Sequence, residues 1–117
     1  MDNAQLLREE RENTGRVFLY LSGRVLKAYA LSAYILTRCF PESAVLNEEF
    51  HREKNEMVYT TYVDIDFISE KPGFELLVDD KSFELKCENP EILNNIPLWM
   101  ETFNQLIREQ TKVLTMS

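Results

Sequence analysis

The hydrophobic period of the chain becomes two residues at Met57, and that change constrains the fold more than any other feature. Met57, Tyr59, Thr61, Val63, Ile65 and Phe67 alternate with Val58, Thr60, Tyr62, Asp64, Asp66 and Ile68. Such alternation places the two sets on opposite faces of a strand. Lys71-Pro72-Gly73-Phe74 follows, with Pro and Gly at the central positions of a type II turn. Phe74, Leu76 and Val78 then alternate with Glu75, Leu77 and Asp79. After a tight turn around Asp80-Lys81, Phe83, Leu85 and Cys87 alternate with Ser82, Glu84 and Lys86. The pattern predicts a small three-stranded antiparallel meander, apolar on one face and acidic on the other.

The flanking segments read as helices. Asp2 or Asn3 can cap a short helix over Ala4–Asn13, which Thr14-Gly15 breaks. From Arg16 to Phe40 the spacing predicts one long helix, about 37 Å at a rise of about 1.5 Å per residue. Its polar positions, Arg16, Tyr20, Arg24, Lys27, Tyr34 and Arg38, follow one stripe, and nearly everything else is apolar. That pattern belongs to a central helix wrapped by other elements, and Pro41 ends it. Residues 42–55 remain open between a short helix from Asn47 and an extra edge strand. Asn89-Pro90-Glu91 supplies a cap, a first-turn proline and a first-turn acid. Pro97 is expected to divide that first turn from the main C-terminal helix. On the latter, Trp99, Phe103, Leu106, Gln110 and Val113, joined by Met100, Ile107 and Leu114, mark the stripe expected to pack on the apolar side of the sheet. The expected architecture is α+β in the order α-α-β-β-β-α, with helices on one face of the sheet and the acidic face in water. The 117 residues fit a single domain, 1–117.

The net charge of −7 is unevenly spread. Residues 1–54 are neutral overall, whereas 56–91 hold ten acids against three lysines. An acidic chain is a poor partner for nucleic-acid phosphates, so no direct nucleic-acid binding is expected. The N-terminus lacks a basic start followed by an apolar run, so no signal peptide is expected. Arg24, Lys27 and Arg38 interrupt the most apolar stretch, so no membrane span is expected either. Cys39 and Cys87 stand alone, with no paired spacing, and are read as reduced and half-buried. These features place the protein in a cytoplasmic compartment.

The acidic sheet face is the candidate working surface. Tyr62, Asp64, Asp66, Glu75, Asp79 and Glu84 are the candidate partner-binding residues, against the simpler reading of a solvated outer face. Asp64-x-Asp66 also offers hard oxygen ligands for a divalent metal. With Glu84-Leu85-Lys86 it resembles, in outline, the PD-(D/E)xK nuclease core. That resemblance implies acids holding a metal and a lysine positioning the attacking water. It covers only a handful of residues in 64–86 and lacks the proline-aspartate signature. His51 is the sole histidine and is read as a surface residue, since a triad or zinc site needs companions. The glycines at 15, 23 and 73 cannot assemble a phosphate loop. The stripe from Arg16 to Arg38 suits an anion or RNA, against the simpler readings of the solvated side of a core helix or of arginines pairing with the acidic segment, within the domain or across a dimer. Trp99, Met100 and Phe103 are read as core, or as a partner contact where exposed.

The expected function is therefore an acidic, non-enzymatic interaction module of the inhibitor, immunity-protein, adaptor or chaperone-like kind. It would dock a protein partner with a basic surface, without a cofactor, and a homodimer stays open. Phage-encoded inhibitors, immunity proteins and type III secretion chaperones share this profile of size, charge and class. The alternative is a metal-dependent nuclease-like hydrolase using Asp64, Asp66, Glu84 and Lys86.

Overall fold

The computed structural model describes residues 3–51, 56–78 and 82–116. Asp79, Asp80 and Lys81, and with them the tight turn and one candidate site residue, lie outside the described residues. The chain runs α1 (Asn3–Arg11), β1 (Val17–Ser22), β2 (Val25–Tyr29), α2 (Ala30–Cys39), β3 (Asn47–His51) and β4 (Glu56–Asp64). It continues with α3 (Ile65–Ser69), β5 (Phe74–Val78), β6 (Phe83–Cys87) and α4 (Pro90–Met116). Among the described residues the strands form one six-stranded sheet in the order β3-β4-β2-β1-β6-β5, with every pairing antiparallel. The class is α+β, as the sequence predicts.

The long helix expected from Arg16 is the main correction. Its first half is the β1–β2 hairpin, and only Ala30–Cys39 is helical. Gly23, at φ 65°, supplies the left-handed residue that the hairpin turn needs. The polar spacing that suggested a helical stripe is a cross-strand pair, because Tyr20 faces Lys27 in the register. The shortened α2 is nonetheless a central helix, with Leu31 through Leu36 all buried. Its first residue, Ala30, sits at φ 50°, so the chain makes a tight left-handed corner from β2 into α2.

That hairpin also breaks up the predicted meander. β5 and β6 pair as expected, but β4 lies on the other side of β2 and β1. β1 joins the two parts. Its first residues, Val17–Leu19, pair with β6, and Tyr20–Ser22 pair with β2. Within the open segment 42–55, Asn47–His51 form the edge strand β3, and residues 52–55 lie outside the described residues. The alternation read through Ile68 stops at Asp64, where α3 begins. Pro97 does not divide the C-terminal helix, which is continuous from Pro90 to Met116. Asn89 starts it as expected, its side-chain oxygen accepting the Glu91 N–H at 2.9 Å.

Helices lie on both faces of the sheet, not on one. α2 and α4 cover the inner face, where Leu19, Leu26, Ala28, Val63 and Leu85 meet Leu31, Ile35, Leu36 and Phe103. α1 covers part of the opposite face, placing Leu6 and Leu7 against Tyr29, Val58 and Tyr20. Gly15, between α1 and β1, is required twice over. Its φ is 114°, and an added Cβ would lie 2.8 Å from Ile96 of α4.

Candidate functional site

The outer face does not carry a continuous field of acids. Its centre is Lys27 on β2, placed by the register directly between Tyr20 of β1 and Tyr62 of β4. The Lys27 ammonium bonds the Glu49 carboxylate of β3 at 2.8 Å. It also lies 4.7 Å from the Tyr29 ring centre and 5.2 Å from that of Tyr62, within cation–π range. The Tyr62 hydroxyl donates to the other Glu49 oxygen. Burial favours the neutral amine of Lys27, but the hydrogen bonds with Glu49 and the tyrosines outweigh it and raise the pKa above the ordinary lysine value. Burial likewise disfavours the Glu49 anion, yet Lys27 and Tyr62 hold it below the usual carboxylate range. The arrangement is a closed, neutral network on a half-buried surface.

The candidate residues separate on this frame. Tyr62 belongs to the neutral network. Asp64 caps α3, its carboxylate accepting the Asp66 N–H at 2.8 Å, and Asp66 is exposed in the first turn of that helix. The two therefore do not share a strand face, because the strand ends between them. Glu75 is exposed on β5, in register with Lys86 of β6. Glu84 is held by Arg16, whose Nε donates at 3.2 Å and whose Nη2 donates to the second oxygen. This is one of the arginine pairings with the acidic segment that the sequence suggested. Thr60, expected on the solvated face, is fully buried.

The residues of the nuclease-like reading are not brought together. Asp64 on β4 and Glu84 on β6 are separated by β2 and β1, about 14 Å across the sheet at strand spacing. They are also offset along β1, since Asp64 is level with Val25 while Glu84 is level with Phe18. No group of three metal-ligating side chains occurs among the described residues.

A second polar cluster was not visible in the sequence. Glu10 of α1 is only 4% exposed. Its carboxyl group accepts the Ser32 N–H at 2.9 Å and the Ser32 hydroxyl at 2.6 Å, with Asn13 Nδ2 at 3.4 Å. It thus closes the first turn of α2 from outside that helix. Burial pushes its pKa up to about 7, against the opposing pull of the Ser32 hydrogen bonds. In the sequence, Glu10 is one acid of a charged helix beside Glu9 and Glu12. Only the docking of α1 across the sheet distinguishes it.

A groove of about 350 Å³ opens between α1, β4 and α4, with Leu7, Leu31, Met57, Met100 and Phe103 in its walls. A second, of about 420 Å³, lies between the end of α2, the β5–β6 hairpin and the start of α4, and holds both cysteines. No helix among the described residues is long and apolar enough to cross a membrane. The chain matches no protein-family model, no curated protein and no solved structure.

Proposed function

We propose that the protein is a non-enzymatic interaction module that docks a protein partner carrying a basic segment. The observation that supports this reading is a difference among the carboxylates of the sheet and of the short helix α3 that follows β4. Glu84 and Glu49 have their cations within the fold. Asp64, Asp66 and Glu75 are exposed, and among the described residues no ion pair neutralises them. Exposed, unneutralised acids attract a basic partner over a distance of about a Debye length, roughly 8 Å at physiological salt. Tyr62 and Glu84 then act as supports that hold the sheet, and Asp64, Asp66 and Glu75 make the contact.

The test is a displayed random-peptide selection on immobilised protein. The triple variant Asp64→Asn, Asp66→Asn, Glu75→Gln serves as the comparison. The amide at position 64 keeps a cap for α3. Wild type should enrich lysine- and arginine-rich peptides whose binding weakens with salt, and the variant should lose that enrichment. Equal enrichment on the two proteins sinks the proposal.

A further inference from the structure

We propose that Cys39 and Cys87 are a redox pair that closes into an internal disulfide when the protein meets a small disulfide of the glutathione class. Cys39 ends α2 and Cys87 ends β6. Both thiols are free and half-buried, and both line the same groove of about 420 Å³. Cys87 stands opposite Phe74 in the β5–β6 register, so the two side chains share the inner face of the sheet. The Phe74 ring packs against Phe40, with 4.8 Å between ring centres, and Phe40 is the chain neighbour of Cys39. One ring contact thus links the two positions, which lie far apart in sequence. Neither cysteine takes part in the polar networks of the outer face.

The groove fixes the order of events. The Asn89 N–H donates to the Cys87 sulfur at 3.4 Å, which orients Cys87 beside the start of α4. Burial, with the charge of Cys87 added, pushes the Cys39 thiol up to about 12, so Cys39 stays protonated and is the slower nucleophile. The Cys87 thiolate attacks the small disulfide, forming a protein–glutathione bond and releasing one glutathione thiolate. Cys39 then attacks the Cys87 sulfur, its proton leaving with the second glutathione. The sum is two protein thiols and one small disulfide giving one internal disulfide and two small thiols. The product ties the end of α2 to the β6–α4 junction, and a reduced thiol buffer reverses it.

The reduced protein, equilibrated in glutathione buffers of increasing oxidation, is alkylated and digested. Both thiols should disappear together, and a peptide joining position 39 to position 87 should appear. The thermal midpoint should rise by on the order of 10 °C in wild type, but not in Cys87→Ser. The variant Cys39→Ser should stop at the mixed disulfide on Cys87. Accumulation of that mixed disulfide in wild type, with Cys39 still open to alkylation, would overturn the proposal. So would oxidation that yields only cross-linked dimers.

Discussion

The two faces of the sheet are closed by different physical means. Under α2 and α4 the contact is aliphatic and aromatic, and Leu19, Leu26 and Leu36 lose all contact with water. Under α1 the apolar contact is small, Leu6 and Leu7 against Tyr29 and Val58, and α1 is held besides by the buried Glu10 carboxyl group bonded to Ser32 of α2. Burial of a large side chain contributes about 1.5–3 kcal/mol and is insensitive to pH. A desolvated acid is stable only in its neutral form. The inner face therefore sets how stable the protein is, and the outer face sets the conditions under which α1 stays docked.

The largest expected effect breaks the inner face. Leu36→Ala should cost about 4 kcal/mol and Leu7→Ala about 2 kcal/mol, within the range for buried leucine truncations. Denaturant midpoints measure both, and equal losses would remove the distinction between the faces. Next in size is the titration of Glu10. Its folded pKa of about 7 lies above its ordinary value of 4.5, so between those values the folded state holds a proton that the unfolded state has released. Stability must then fall as pH rises through that window, by about 3 kcal/mol in total. Glu10→Gln should flatten this part of the pH profile, and an unchanged profile would remove Glu10 as its source. The smallest effect is that of Lys27→Met, about 1 kcal/mol. It should also move the Tyr62 and Glu49 titrations observed by NMR, because it leaves their hydrogen bond without the shared cation.

The elements that were legible in the sequence are those whose local signals agree. β5 and β6 follow from alternation that only Leu77 interrupts, although Val78 on the apolar set is exposed, the turn before them from Pro72-Gly73, and the start of α4 from Asn89-Pro90. Each rests on contacts within a few residues. The β1–β2 hairpin was not legible, because Val17–Tyr29 is apolar on both sides of each strand. One side packs under α2, and the other carries Phe18, Tyr20 and Tyr29, the two tyrosines against α1, so period two is masked and a helix fits the same residues. Gly23 was the one local sign of a turn. The position of α3 was hidden for a related reason, since Asp64-x-Asp66 reads equally as a strand pair or a helix cap. For the candidate site, charge predicted which residues are acidic but not which have cations. The Arg16–Glu84 pair spans 68 residues of sequence, and only the β1–β6 pairing brings it together.

The division of β1 between two neighbours bears on how the chain acquires its structure. The β1–β2 hairpin needs only a short loop, whereas Val17 finds Leu85 only after everything between them has been made. Loop-closure cost orders these events, local pairings first. While the chain emerges from a ribosome, β1 to β4 can assemble around α2 with Val17–Leu19 as a bare sheet edge. Such an edge is a template for foreign strands. Arrival of the β5–β6 hairpin covers that edge, so a ribosome that stalls before residue 83 leaves the nascent chain at its most aggregation-prone.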